Sequence, residues 1–318
     1  MLSRSVAKRL PAASDLDLAT LRIFVAVAEA GSFVSGGKAV GLTRSAAGKA
    51  VARLESYLET RLFQRTTRQV SMTAEGRELF HRSVQILEDM ADAEASVRAN
   101  ASSPRGTLRL TVSEGYGKAK IIPFLTEYLE TVPDLSVEVS FTDRVVDLVE
   151  EGFDLAIRVG ATVSSTQYIT QVIDRTPLGL YASPSYLARC ETPNCLEDLS
   201  CHLRLTYGLA PAPTAWSFPF RGAAPTIIDG PSRIRFDSGD AVKVAAIAGL
   251  GIALLPESIV ETHLQSGELI SILPKVTCTE VDIRALYPSR RHLSLRTRHF
   301  LDGLKQFSCR SFKKVRDP

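Results

Sequence analysis

The fold of the N-terminal part of the chain is decided by residues 32–53, which read SFVSGGKAVGLTRSAAGKAVAR. Ser32 can cap a short helix that Gly41 ends, and Thr43 can cap a longer helix after it. On the longer helix, apolar residues recur at the spacing of one helical face, which predicts that this face is buried. The residues of this apolar stripe are Ala47, Val51, Leu54 and Leu58.

The surrounding residues complete a helix-turn-helix pattern. An earlier helix is predicted from Asp17 onward, and Gly31 supplies its C-terminal stop. Short helices joined by a glycine-containing turn, with a longer third helix, are typical of helix-turn-helix geometry. The face opposite the stripe offers cations and a hydroxyl group to a DNA groove. Its polar residues are Arg44, Ser45, Lys49 and Arg53.

A β-wing is predicted directly after these helices. Residues 61–73 read RLFQRTTRQVSMT, in which hydroxyl groups and arginines interleave with strand-like alternation, as a phosphate-contacting wing needs. The charge distribution agrees with this prediction. Residues 1–72 hold eleven basic and five acidic side chains, a net charge of +6, whereas the whole chain carries +3. A basic unit joined to a mildly acidic body indicates a nucleic-acid reader attached to another domain.

A long linker helix is predicted within residues 75–101. Six residues step by four and three positions in turn, which is the seam of a coiled coil. This pattern favours a dimerisation helix, since a dimer matches two DNA half-sites, but a helix packed on its own domain is the alternative. The seam consists of Leu79, Ser83, Ile86, Met90, Ala93 and Val97, of which Leu79, Ile86, Met90 and Val97 are the main dimerisation candidates.

Beyond a predicted hinge at residues 101–106, the pattern becomes α/β. Strands and helices alternate, which indicates mostly parallel sheets with helices on both faces. The predicted elements include strands at residues 107–112, 135–141, 154–159, 179–183, 233–237, 251–255 and 281–287, and helices at residues 121–129 and 145–150.

Over about residues 17–307 the chain resembles the LysR-type transcriptional regulators. The segments that carry the resemblance are LRIFVAVAEAGSF (21–33), AVARLE (50–55), RLFQRTTR (61–68), PRGTLR (104–109), VEEGFDLAIR (149–158) and AGLGIALLP (248–256). The resemblance implies a winged helix-turn-helix, a dimerising linker helix, and an effector domain of two α/β lobes like those of periplasmic binding proteins. It also implies sequence-specific binding of promoter DNA that a small-molecule effector in the cleft modulates. Family members usually act as homotetramers, built as dimers of dimers.

The resemblance divides the chain into domains. A disordered leader is expected at residues 1–15, the winged helix-turn-helix at 16–74, the linker helix at 75–101 and the effector domain at 102–308, followed by a tail at 309–318. Within the effector domain, lobe I is expected at about residues 107–177 and 281–308, and lobe II at about 178–280.

By position, the resemblance also assigns DNA contacts. Arg44, Ser45, Lys49 and Arg53 fall where the family contacts DNA, and backbone contacts are expected at Ser32, Arg65, Thr66 and Thr67. Two departures stand out. Gly36 and Gly37 replace the usual pair of alanines, and Gly48 stands where a serine is common. Because an interior glycine weakens a helix, we expect the helix-turn-helix of residues 32–53, here called the reading head, to have less stable helices than is usual.

Effector-binding candidates lie where strands end. In open α/β sheets, ligands bind outside the carboxyl ends of strands, where helix N-termini attract anions, so a small carboxylate is a suitable effector. Glu114 and Asp240 count mildly against a strongly anionic effector, unless it also carries an amine. The candidates are Thr111, Ser113, Gly115, Tyr116, Gly160, Asp237 and Ser238.

Three other classes of protein were weighed. An enzyme is not expected, because no dinucleotide fingerprint, P-loop or catalytic triad spacing occurs, and no cofactor is implied. A thiol- or metal-responsive regulator that senses through Cys190, Cys195 and Cys201 is the alternative, although their spacing fits no standard zinc pattern. A periplasmic binding protein would need an export signal. The chain shows neither such a signal nor an 18-residue apolar run, so a cytoplasmic protein without membrane contact is expected.

Overall fold

The computed structural model shows two compact units, one of residues 1–102 with 149–152, and one of residues 103–148 with 153–318. The leader predicted at residues 1–15 lies outside the described residues. Those that the structure describes are residues 16–65, 70–97, 103–160, 167–208, 215–220, 223–229, 232–276, 279–288 and 293–316.

The N-terminal unit has the predicted order of elements. Its helices and strands are α1 (Leu18–Ala30), α2 (Phe33–Ala39), α3 (Arg44–Tyr57), β1 (Phe63–Arg65), β2 (Val70–Met72) and α4 (Ala74–Val97). The predicted caps form: Gly31 ends α1 in a left-handed conformation with φ of +56°, and the side chains of Ser32 and Thr43 accept hydrogen bonds from first-turn amides of α2 and α3. β1 and β2 pair antiparallel.

The core of this unit is the contact between α1 and α3. Phe24 and Val27 of α1 are fully buried, as is Ala47 of α3, and Phe63 of β1 packs into the same cluster. From α4, Leu79 joins this cluster as a partly buried residue. At Leu79, α4 is therefore packed on its own unit, which was the alternative to a dimer contact at this position.

The C-terminal unit alternates strands and helices. Its strands are β3 (Gly106–Val112), β4 (Leu135–Phe141), β5 (Leu155–Val159), β6 (Tyr168–Ala182), β7 (Arg204–Tyr207), β8 (Trp216–Phe220), β9 (Ala223–Ile228), β10 (Arg235–Phe236), β11 (Ile252–Pro256), β12 (Ile270–Ile272) and β13 (Glu280–Pro288). Its α-helices are α5 (Glu114–Tyr116), α6 (Ile122–Thr131), α7 (Pro184–Cys190), α8 (Gly239–Ile247), α9 (Glu261–Gln265) and α10 (Leu295–Arg316). A π-helical stretch, Gly117–Ile121, joins α5 to α6, so the backbone is helical from residue 114 to residue 131.

Most strands form one continuous sheet in the order β10-β7-β11-β6-β13-β5-β3-β4, with β12 beside β6. β3 pairs parallel with both β4 and β5 in lobe I, and β7 pairs parallel with both β10 and β11 in lobe II. The antiparallel strand β6 crosses between the lobes: up to Pro177 it pairs with β13, and from Leu178 onward with β11. The lobes are thus parts of one sheet.

The two lobes also share one apolar core. Tyr116 and Ile121 of lobe I belong to the same buried cluster as Val242, Ile259 and Val260 of lobe II. All five side chains are at most 5% exposed. The lobes are consequently joined by apolar packing as well as by the strands that cross between them.

One expectation about elements is wrong. Residues 145–150 form no helix: residues 145–147 are irregular, and a turn follows in which the Phe153 amide donates to the Leu148 carbonyl. β-branched residues such as Val145, which is 94% exposed, favour a helix weakly. Leu148 is the buried residue of this segment, and Val146 packs against the same cluster as a partly buried residue. The last helix, α10, continues to Arg316.

We predict that Arg204→Ala lowers the free energy of unfolding of the C-terminal unit by about 2–4 kcal/mol, through lost packing and an unsatisfied carbonyl. The Arg204 guanidinium is fully buried, lies 5.3 Å from the ring centre of Trp216, and donates to the Ile228 carbonyl at 3.0 Å. Urea unfolding followed by circular dichroism measures the loss. The control is Arg175→Ala, whose 64% exposed side chain pairs with Asp282, so it should cost under about 1 kcal/mol. Equal losses in both variants would contradict a structural role for Arg204.

Candidate functional sites

The third helix of the N-terminal unit has one buried and one exposed face. Its buried residues are Ala47, Ala50, Val51 and Leu54. The four residues predicted to contact DNA, Arg44, Ser45, Lys49 and Arg53, are all exposed. The apolar face therefore fixes this helix on the core while three cations and a hydroxyl group face solvent.

The remaining predicted DNA contacts lie around the helix. The Ser32 hydroxyl oxygen accepts from the amides of Val34 at 3.2 Å and Ser35 at 3.4 Å. These bonds use its lone pairs and not its proton, which can still be donated to a phosphate. The backbone of Arg65 ends β1. Thr66 and Thr67 lie outside the described residues.

The glycines of the reading head have different surroundings. A Cβ atom on Gly36 would lie 2.5 Å from the Val27 backbone of α1, so Gly36 lets α2 approach α1 closely. A Cβ on Gly48 would meet nothing within 4 Å. Gly36 therefore has a packing role, as does Gly37, whose Cβ would lie 3.0 Å from the Leu42 carbonyl oxygen, whereas Gly48 has no such role within the unit.

The seam on α4 is divided in the same way. Leu79 packs in the core of its own unit, whereas Ile86 is 45% exposed. Met90 is partly exposed, and the side chain of Val97 lies outside the description. The exposed surface that remains for a partner helix is thus centred on Ile86 and Met90.

In the C-terminal unit, polar groups gather at the carboxyl ends of β3 and β5. Thr111 is fully buried, and its hydroxyl oxygen accepts a hydrogen bond from Nη2 of Arg158 at 2.9 Å. The same guanidinium donates to the Ile157 carbonyl at 3.1 Å. Ser113, 8% exposed, lies beside the Val159 amide, with Gly160 next along the chain. Thr111 thus contacts the buried Arg158 cation directly, and Ser113 lies at the strand end that leads to Gly160.

Lobe II presents the start of α8 to this region. Ser238 caps α8 by accepting from the Ala241 amide, and its hydroxyl donates to Oε2 of Glu114 in lobe I at 2.6 Å. The Gly239 amide donates to Oδ2 of Asp143 at 3.0 Å. Asp237 is exposed, and its charge helps to raise the pKa of Tyr207, although burial of the phenol is the main cause.

Lysine 118 connects the two lobes. Lys118 Nζ lies 2.8 Å from carboxylate oxygens of both Glu114 in lobe I and Asp240 in lobe II. Hydrogen bonds from Lys118 and then from Ser238 hold the pKa of Glu114 below its usual value. The bond to Asp240, followed by that to Glu114, raises the pKa of Lys118 well above its usual value. Both groups are therefore charged at neutral pH.

Two predicted effector residues lie elsewhere. Tyr116 is fully buried in the shared core, with its hydroxyl 3.4 Å from Oδ2 of Asp174. Gly115 faces Ile259 of lobe II, so that a Cβ there would lie 3.2 Å from the Ile259 side chain. These two residues pack the lobes together, and we do not place them in the cleft.

Two protein-family models match the chain. The model of the bacterial regulatory helix-turn-helix protein of the LysR family matches residues 18–77, and that of the LysR substrate binding domain matches residues 101–308. The chain belongs to the LysR family. It is a DNA-binding transcriptional regulator with an effector-binding domain, and its relatives are regulators rather than enzymes.

Individual relatives agree with this assignment. An HTH-type transcriptional regulator of Haemophilus influenzae is 36% identical over 279 residues, which are 88% of this chain and 96% of that one. An HTH-type transcriptional repressor of Pseudomonas aeruginosa is 31% identical over 291 residues, 91% of both chains. The structure of CrgA, a LysR-type transcriptional regulator from Neisseria meningitidis, is 28% identical with a TM-score of 0.58, covering 90% of this chain and 97% of that chain.

Three residues where the strand ends of lobe I meet the start of α8 were not predicted from the sequence. Arg158 could have been found, because a charge within a strand predicted to be buried is a signal of function. Asp143 and Lys118 gave no such signal, since a surface carboxylate and a surface lysine are ordinary. Only the fold brings these two side chains to the start of α8.

The cysteines proposed for the alternative function are exposed. At Cys195, a backbone hydrogen bond at Asp198 has the largest effect and lowers the pKa. Hydrogen bonds to the carboxylates of Asp198 and Glu197 raise it, and the pKa lies above its ordinary value overall. A raised pKa disfavours the reactive thiolate. In the described part of the chain, His, Cys, Asp and Glu side chains form no group of three or more that could hold a metal ion.

Hydropathy was also examined along the helices. No helix within the described residues combines the length and the apolar character needed to cross a membrane.

The two glycines give a matched prediction. Gly48→Ala should stabilise α3 by about 0.5–1 kcal/mol, because alanine favours a helix and its Cβ meets open space. Gly36→Ala should destabilise the same unit, because its Cβ would meet the backbone of α1. Hydrogen exchange of the α1–α3 amides in the full chain measures both effects. If both variants shift exchange in the same direction, the packing role of Gly36 is wrong.

Proposed function

We propose that this regulator binds promoter DNA through the exposed face of α3 and responds to a small carboxylate bound between its lobes. The observation that carries the proposal is the division of α3 into a buried apolar face and an exposed cationic face. We further propose that it works in the cytoplasm as a homo-oligomer, a dimer of dimers.

On the DNA side, Arg44, Ser45, Lys49 and Arg53 enter the major groove. Arginine and lysine read guanine edges there, and each good contact of this kind discriminates bases by about 1–3 kcal/mol. The remaining proposed residues contact phosphates and so fix the position of the unit on the duplex. They are Ser32, Arg65, Thr66 and Thr67.

We propose that the protein dimerises through α4, which suits this mode of binding. Ile86 and Met90 leave apolar surface exposed on α4, and Val97 lies on the same seam. Pairing two copies of α4 would bury that surface and set two reading helices on successive half-sites. Leu79 would lie outside this dimer contact, because it packs in the core of its own unit.

On the effector side, the chemistry favours a carboxylate. Arg158 lies 2.9 Å from the hydroxyl oxygen of Thr111, and the Ser113 hydroxyl lies beside the amide of Val159, the next residue along β5. A guanidinium beside hydroxyl groups binds a carboxylate by charge-assisted hydrogen bonds. Ser238 and Gly160 complete this proposed site, with Asp237 at its rim. The acidic groups Glu114 and Asp240 favour an effector that carries an amine as well.

The thiol- or metal-responsive alternative draws no support from geometry. Cys190, Cys195 and Cys201 are exposed, and the pKa of Cys195 is shifted in the direction that disfavours reactivity. We therefore retain small-molecule sensing as the proposed function.

For DNA binding, we expect Arg44→Ala and Lys49→Ala each to weaken binding to a duplex that the wild-type protein selects from a random-sequence pool. Loss of a base contact should cost about 1–3 kcal/mol, and loss of a phosphate contact should reduce the salt slope by about 0.9. Fluorescence anisotropy at several salt concentrations measures both. Arg22→Ala, an exposed change on α1, is the control. Wild-type affinity in both α3 variants would show that α3 is not the reading helix.

For the effector, we expect a thermal-shift screen of small carboxylates, with and without an amine, to yield a stabilising compound. At about 100 times its dissociation constant, such a compound should add roughly 2.7 kcal/mol of stability. Thr111→Val, which keeps the shape of the side chain and removes the hydroxyl, should weaken the shift. Ile227→Ala, an exposed change on β9, should leave it intact. An equal shift in wild type and Thr111→Val would place the compound elsewhere.

A further inference from the structure

In the C-terminal unit, one carboxylate contacts the starts of two helical segments. Oδ1 of Asp143 accepts from the Glu114 amide at 3.2 Å, and Oδ2 accepts from the Gly239 amide at 3.0 Å. Glu114 begins the helical backbone of lobe I, and Gly239 begins α8 of lobe II. A single side chain thus bridges first-turn amides of both lobes.

These amides depend on an outside acceptor. The first N–H groups of a helix have no carbonyl partner within the helix, and they carry the positive end of its dipole. The Ser238 hydroxyl accepts from the Ala241 amide, two residues after Gly239, and the Gly239 amide donates to Asp143 instead. The carboxylate is therefore a bridge between the lobes and not simply a local cap.

Further charged contacts surround this bridge. Lys118 lies 2.8 Å from both Glu114 and Asp240, and the Ser238 hydroxyl donates to Glu114 at 2.6 Å. Glu114 is thus held both by its own lobe and by lobe II. Together, Asp143, Glu114, Lys118, Ser238 and Gly239 form a polar connection that we call the interlobe latch.

We propose that the interlobe latch holds the two lobes together and that Asp143 is a built-in competitor of the effector, whose carboxylate displaces it. The second half rests on the proposed function, because it takes a carboxylate as the effector class. Displacement exchanges one anion for another at the same amides, so it costs little electrostatically. It frees Asp143 and the segment after β4, which changes how lobe I is tied to lobe II.

The latch is tested by hydrogen exchange of the full chain at residue resolution. The Gly239 amide is a direct reporter, since Asp143 is its acceptor. In Asp143→Ala we expect this amide to exchange about tenfold faster or more, as for loss of a charge-assisted bond. Asp143→Asn keeps the size of the side chain but only one acceptor oxygen. We therefore expect a smaller increase in the exchange rate, at one of the two amides, Gly239 or Glu114. Glu138→Gln, which removes an exposed ion pair to Arg109 within lobe I, is the matched control and should change neither amide.

Competition is tested by chemical rescue. Asp143→Ala lacks only the carboxylate, and formate is the smallest ion that can replace it. We expect sodium formate to restore slow exchange at Gly239 in Asp143→Ala, whereas sodium chloride of equal ionic strength does not. In the wild type, formate should change nothing, because the tethered carboxylate has a far higher effective concentration.

Each outcome decides one half of the proposal. Unchanged Gly239 exchange in both Asp143 variants overturns the latch, and failure of formate to restore protection overturns competition. If Asp143→Ala exchanges rapidly throughout β5 as well, it is unfolded. Asp143→Asn then decides the latch, and Asp143→Ser, whose shorter side chain leaves room for formate, decides competition. If the latch responds as expected but no carboxylate stabilises wild type or Asp143→Ala, the proposed effector class is wrong while the latch stands.

Discussion

The apolar core that spans both lobes constrains the C-terminal unit more than any single polar contact. Ile259 and Val260 of lobe II are buried in one cluster with Tyr116 of lobe I, and β6 crosses between the lobes. Full separation of the lobes would expose this surface at about 25 cal/mol per Å² of apolar area. A small effector cannot supply such a free energy, so effector binding must cause only a limited rearrangement of the two lobes.

Such a rearrangement costs little free energy at the polar contacts near the strand ends. The bonds among Lys118, Glu114 and Asp240 are partly exposed, so that water can replace them at little cost. An effector shifts an equilibrium only by its difference in affinity for the two states. At the start of α8, an incoming carboxylate meets amides that already bind Asp143. The difference in effector affinity between the two states then arises from a few hydrogen bonds rather than from the apolar core.

The sequence was informative where structure depends on neighbouring residues. Capping by Ser32 and Thr43, the stop at Gly31 and the buried stripe of α3 are local, and all are present. The latch could not be predicted, because Asp143 and Gly239 are 96 residues apart and meet only through the sheet. The helix expected at residues 145–150 does not form. Its apolar pattern is short, and a turn is enough to bury Leu148 in its cluster.

The glycines of the reading head show the same limit of local rules. Helix propensity treats Gly36 and Gly48 alike, as costs of about 0.5–1 kcal/mol each. In the fold, Gly36 is where α2 meets the α1 backbone, and its missing Cβ is what permits the contact. Gly48 faces open space on the side of α3 that carries Arg44, Lys49 and Arg53. Its cost is not recovered by packing within the protein, and a bare backbone at that point leaves room for DNA to approach the helix closely.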